Sequence, residues 1–220
     1  MTMTSRIYLS IIIFIVGIIW LVLLIVDGVA VNLSWLHHLP SVVSILMLLG
    51  GAFDIWFWRL PILPKGFVKR PNIRGTWRVI IESGWQDPST GKIIDPIEGY
   101  IAVHQTFSSL SIHLMTNESS SDLVGGSIYF IDNEFRITAV YRNEPDILIR
   151  NRSHIHYGAL KLNVIGRPVN ALDGHYWTDQ GTMGNIKTTG HQRKIIHDFE
   201  AAKTAFDNQE HTSSVTGRLG

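Results

Sequence analysis

Residues 123–142 read LVGGSIYFIDNEFRITAVYR, and the fold turns on this stretch. Val, Ile, Tyr, Phe and Thr recur with a period of two on either side of Asp132-Asn133-Glu134, a connection too short for anything but antiparallel neighbours. The stretch is therefore expected to be a hairpin, with strands Leu123–Asp132 and Phe135–Arg142. The same pattern continues in both directions. Before it come Ile73–Glu82, Ile97–Phe107 and Leu110–Thr116, and after it Ile155–Val164, Leu172–Asp179 and Thr182–Thr188. Ser108-Ser109 and Gln180-Gly181 are further short connections. Eight short strands in meander order favour a closed, mainly antiparallel β-barrel, which removes exposed edges and has room for one small ligand. His197 to Phe206 is expected to be a short C-terminal helix, and 208–220 a disordered tail.

Upstream, the chain changes character. Residues Ile7 to Val26 contain no charge, and a helix of that length covers the roughly 30 Å hydrocarbon core of a bilayer. A second apolar run from about Leu36 to Trp58 ends in Trp56, Phe57 and Trp58. No lysine or arginine lies between Asp27 and Trp58, whereas Arg6, Arg59, Lys65, Lys69, Arg70 and Arg74 flank that interval. The expected organisation is a two-helix transmembrane hairpin over 1–60 and a proline-stiffened linker over 61–71. A cytoplasmic barrel follows over 72–207. The expected location is the inner membrane, with the N-terminus and barrel inside.

The chain has 220 residues, a formal net charge of +1 and no cysteine. Near-neutral charge excludes coating of DNA or RNA polymers and leaves nucleotide binding to local groups. Without cysteine there are no disulfides, thiol nucleophiles or thiolate metal sites. No phosphate-cradling P-loop, dinucleotide glycine fingerprint, GxSxG elbow or HExxH helix is present.

Ligand-binding residue types are more prominent. Arg74-Gly75-Thr76-Trp77-Arg78 opens the first strand, where a tryptophan is expected to plug the barrel floor. Tyr100 and His104 share one face of the second strand, Ile101 and Val103 the other, and alternation alone does not say which face is the lumen. The segment from Asp173 to Gly184, DGHYWTDQGTMG, combines rings that can stack bases with Thr, Asp and Gly. Arg142, Arg150 and Arg152 flank a loop and suit bidentate phosphate contacts. Against this stands the plain reading of a core turn with solvated arginines. His154 and His156 form an H-x-H pair that would bind a metal if a third ligand such as His175 joined it, or would simply be a solvated strand edge.

Two apolar N-terminal segments, the RGTW opening at Arg74–Trp77 and the late stretch GHYWTDQGTMGNI at 174–186 stand in an order that resembles the SMODS-associated two-transmembrane β-barrel effectors of cyclic-oligonucleotide-based antiphage signalling (CBASS). The resemblance implies a receptor, not an enzyme, with no cofactor. A cyclic dinucleotide made by a partner CD-NTase nucleotidyltransferase would bind the barrel, drive self-association and disrupt the lipid bilayer. A cyclic dinucleotide presents two phosphates and two flat bases. The stacking surfaces expected for it are Tyr100, Tyr141, Tyr176 and Trp177, and the donors Arg74, Arg78, Arg150 and Thr178. Two other classes compete: a lipocalin-like carrier of an apolar ligand, and a metal-dependent hydrolase built on His154 and His156.

Overall fold

The computed structural model of the chain describes residues 13–22, 25, 26, 39–60, 70–87, 89–151 and 153–216, with side chains to residue 211. The chain divides into two compact units, Met1–Ile62 and Leu63–Gly220.

In the first unit, residues 13–22 are helical, and helix α1 spans Leu39–Ile55 before a 3-10 turn at Phe57–Arg59. Among the described residues no helix is long and apolar enough to cross a membrane. This overturns the expected two-helix transmembrane hairpin, and the inner-membrane, multi-pass placement falls with it. The reason is one of length. The 17 residues of α1 rise about 26 Å at 1.5 Å each, short of a hydrocarbon core of about 30 Å. The first expected span lies partly outside the described residues, as do most of the linker and the loop near Val31–His38.

The second unit is the barrel. Its strands are β1 (Gly75–Ser83), β2 (Ile97–Gln105), β3 (Leu110–Thr116), β4 (Ser119–Ile131), β5 (Glu134–Pro145), β6 (His156–Ile165), β7 (Ala171–Thr178) and β8 (Met183–Gln192). Each pairs antiparallel with its sequence neighbour, and β1 closes on β8. The expected hairpin at the centre of the sequence forms, with Phe130 opposite Phe135 and Tyr129 opposite Arg136, but Glu134 already belongs to β5 and pairs with Ile131, so the connection is two residues and not three. Its two turn residues, Asp132 (φ 51°) and Asn133 (φ 64°), are left-handed, which suits the right-handed twist of the strands they join.

Trp77, Val79, Ile101, Val103, Ile137, Leu162, Leu172 and Ile186 fill the lumen and are buried there. Such a lumen is a packed core, as an eight-stranded barrel of this size allows. A second apolar cluster lies outside the wall, where Tyr100, Ala102 and Met115 meet Ile196, Ala202 and Phe206. The last two belong to helix α2, Phe199–Thr216. Asp198 starts it, its Oδ1 accepting from the Ala201 amide at 2.8 Å. The helix continues well beyond Phe206, into the stretch expected to be a disordered tail.

Candidate functional site

An up-and-down barrel has two unlike ends, and here the chain order assigns every loop to one of them. Chain entry before Gly75, the β2–β3, β4–β5 and β6–β7 turns and the exit after Gln192 form one end. The β1–β2, β3–β4, β5–β6 and β7–β8 connections form the other.

The first end is a floor. Trp77 is fully buried, donates from Nε1 to the Ile73 carbonyl at 2.9 Å and stacks on His191 with ring centroids 4.0 Å apart. This is the plug expected from the sequence. Gln105, also fully buried, completes it: Oε1 accepts from the Ile73 amide at 2.9 Å, and Nε2 donates to the Pro71 carbonyl at 2.8 Å. Gly75 (φ +137°) lets the chain pass against the Gln192 carbonyl, where any Cβ would collide. Burial pushes the His191 imidazole below its ordinary pKa. The Arg193 charge adds to the shift, and the contact with the Arg74 carbonyl opposes it.

At the opposite end the inward side chains become polar. Ser121 and Asn143 are buried, with Ser121 Oγ donating to Asn143 Oδ1 at 2.6 Å. Thr178 and Thr182 share a 2.6 Å hydroxyl contact across the β7–β8 turn, and the Thr116 hydroxyl accepts from the Ser119 amide at 3.0 Å across the β3–β4 turn. Tyr141 points inward beside them and packs over Gly158 on the paired strand. Burial raises the Tyr141 phenol well above its ordinary pKa, and Tyr176 and Asp179 add to the shift. The group therefore stays a neutral hydroxyl at physiological pH. Beneath this ring the lumen narrows to a cavity of about 10 Å³, bounded by Ile112, Leu114, Leu123, Ala139 and Leu160 together with Tyr141 and Ser121. That is room for about one water, far below the several hundred Å³ of a small-molecule pocket. A ligand of nucleotide size does not fit inside this cavity.

The eight expected ligand residues separate into four places. Tyr141, Tyr176, Thr178 and Arg150 come together around the mouth. Arg150 follows the 3-10 turn Ile147–Ile149, which Asp146 caps by accepting from the Leu148 amide at 2.9 Å, and Arg150 Nε donates to the Pro145 carbonyl at 3.1 Å. Trp177 alternates to the outer wall and is half exposed. Arg74 lies at the floor, before β1.

Arg78 and Tyr100 lie on the outer wall beside α2. Arg78 bonds Glu98 through Nε and Glu210 through Nη1, both at 2.6 Å, and the Tyr100 hydroxyl donates to Glu98 at 2.8 Å. Burial opposes the Glu98 charge, but the bonds from Tyr100 and Arg78 outweigh it and hold the carboxyl below its ordinary pKa. Arg142 faces outward and pairs with Glu144 at 2.5 Å, and Arg152 lies outside the described residues. His154 and His156 precede and open β6, where His156 Nδ1 lies 2.8 Å from the His154 carbonyl. Among the described residues no three His, Asp or Glu side chains are grouped to hold a metal ion.

Sequence reasoning missed Ser121, Asn143 and Gly158. Ser119–Asp122 is a polar run that lacks the apolar half of a strand alternation, and a buried Ser–Asn pair looks like loop sequence until the barrel closes around it.

Comparison with known proteins fits the same domain. Residues 68–190 match the family described as Cap15, cyclic dinucleotide receptor domain. The chain belongs to that family. It is similar to the CD-NTase-associated protein 15 of Yersinia aleksiciae, 28% identical over 174 residues covering 71% of this chain and 79% of that protein. It is also similar to the CD-NTase-associated protein 15 of Staphylococcus schleiferi, 21% identical over 170 residues covering 77% and 88%. The expected cyclic dinucleotide receptor of a CBASS effector is thus the class to which this barrel belongs, ahead of the apolar carrier and the metal-dependent hydrolase.

Proposed function

We propose that the mouth formed by Tyr141, Tyr176, Thr178 and Arg150 is where the barrel receives its cyclic dinucleotide. The chain then acts by binding and self-association, not by catalysis. A CD-NTase nucleotidyltransferase supplies the ligand. One observation carries this reading: four of the eight candidate residues gather at the polar end of a barrel whose other end is sealed by Trp77 and Gln105. Tyrosine rings offer stacking surfaces for the bases. The Arg150 guanidinium and the Thr178 and Thr182 hydroxyls offer donors for the phosphates. Self-association follows if the liganded mouth favours the assembled state, because a ligand shifts an equilibrium only by its difference in affinity between the two states.

The test is calorimetric titration of the full chain with cyclic dinucleotides of varied base and linkage. Tyr176→Ala is expected to weaken binding roughly 5- to 150-fold, the equivalent of about 1–3 kcal/mol for one stacked base. Arg74→Ala, at the sealed end, is expected to leave it unchanged. The reverse pattern would move the site to the floor and end this assignment.

A further inference from the structure

The barrel wall is unevenly covered. Helix α2 lies over the outer apolar residues Tyr100, Ala102 and Met115 of β2 and β3. Across β4 to β8 the wall presents its own apolar row. Strand register aligns Val140 with Ala159, Ala159 with Trp177, and Trp177 with Met183, and Val124 follows at the β4 bulge. These side chains are open to solvent: Val124 61%, Val140 46%, Trp177 47% and Met183 65% exposed. Together they offer on the order of 500 Å² of apolar surface, the upper range for a patch that a monomer leaves bare.

The polar residues beside the row differ by side. Toward the mouth stand Asp122, 2.6 Å from His113 Nδ1, Glu144, which pairs with Arg142, and Asp179. Toward the floor, the neighbouring positions on β4 to β7 are Ser127, Thr138, Lys161 and His175, with no carboxylate among them. One flank is acidic, and the other carries Lys161 with no carboxylate among the four. A copy turned over about an axis running along the row brings the acidic flank of each molecule onto the Lys161 flank of the other. The apolar rows then meet face to face. A two-fold contact of this kind is self-complementary by construction. A standard interface takes about 800 Å² per partner, so the flanks are buried along with the row.

We propose that the outer wall of β4 to β8 is the surface on which a second copy of this chain packs. The inference builds on the self-association proposed above and assigns it a place. The row ends at Trp177 and Met183, either side of the β7–β8 turn that also carries Thr178 and Thr182, so a ligand seated in the mouth touches the same turn that borders the interface.

The absence of native cysteine makes the test direct. Ala159→Cys places one thiol on the axis, where it meets its own copy. Ser111→Cys places one on the outer face of β3 as a control. Full-length chains are treated with a bismaleimide of about 8 Å span, chosen for sheets that stack about 10 Å apart, with and without the cyclic dinucleotides used in calorimetry. Ala159→Cys is expected to yield at least tenfold more cross-linked dimer than Ser111→Cys. Adding Val140→Lys is expected to abolish the excess while the heat of ligand binding persists. Lys161→Glu is expected to lower it, and mixing that variant with Asp179→Lys to restore it. Equal cross-linking of the two cysteines under both conditions would overturn the interface. Failure of every cyclic dinucleotide to give heat would instead count against the receptor mouth, through a separate readout.

Discussion

Substituting Gly158 with alanine should damage the mouth through one identifiable collision. Gly158 pairs with Tyr141 across β5 and β6, and both side-chain positions point into the lumen. A Cβ built on Gly158 would lie 2.7 Å from Tyr141 Cε2, and closer still to Cζ and the hydroxyl. Ordinary carbon contacts sit at about 3.5–4.0 Å, so the ring must retreat by about 1 Å or more. It has little room to do so, since the adjoining cavity measures only about 10 Å³. Overpacking of this kind costs about 1–3 kcal/mol. In a unit of this size that lowers Tm by roughly 2–12 °C, at about 2–4 °C per kcal/mol. The assay is a double-mutant cycle by thermal and urea unfolding of wild type, Gly158→Ala, Tyr141→Ala and the double variant. If the collision is the cause, the alanine at 158 costs little once the ring is gone, and the coupling is about 1–3 kcal/mol. An undiminished cost in the Tyr141→Ala background would refute the reasoning.

Gln105→Leu removes the partners of the Ile73 amide and the Pro71 carbonyl together. Two buried groups left unsatisfied at about 1–3 kcal/mol each predict about 2–6 kcal/mol of lost stability, read by urea unfolding. Ligand affinity should not change, because the residue lies at the sealed end. The His191 pKa is depressed in the folded chain, so its contribution is fully present above the unfolded value of 6.5. It is lost as pH falls from there through the lower folded value, because the unfolded state takes up the proton first. Tm measured from pH 8 to pH 5 should therefore decline below about 6.5. The decline should be shallower in His191→Phe, which keeps a ring against Trp77.

The barrel was legible because its strands declare themselves. Leu123–Arg142 carries the period of two, and the floor tryptophan sits where Gly-x-Trp puts it. Two features were not legible, for physical reasons. Tyr100 and His104 share the outer face of β2, and Ile101 and Val103 the inner one, yet both faces carry apolar burial because α2 packs on the outside. A strand covered on both sides loses its alternation, which is why the sequence alone does not say which face is the lumen. Likewise, Arg78 and Tyr100 have the chemistry of ligand residues but are taken up by Glu98, Glu210 and the helix. Residue type shows what a side chain can bind, while the element packed against it decides whether it is available. The second N-terminal segment teaches a related lesson: α1 ends at Ile55, short of the expected Trp58, where the chain turns into the 3-10 segment Phe57–Arg59.

Hydrogen–deuterium exchange of the full chain, with and without a cyclic dinucleotide that gives calorimetric heat, tests the mouth assignment most directly. Protection is predicted in residues 117–121, 141–151 and 176–183, three of the four connections at the mouth end with their flanking strand ends, and is not predicted at 105–109, 132–135 or 166–170. Protection confined to the floor turns, with the mouth segments exchanging as before, would contradict it.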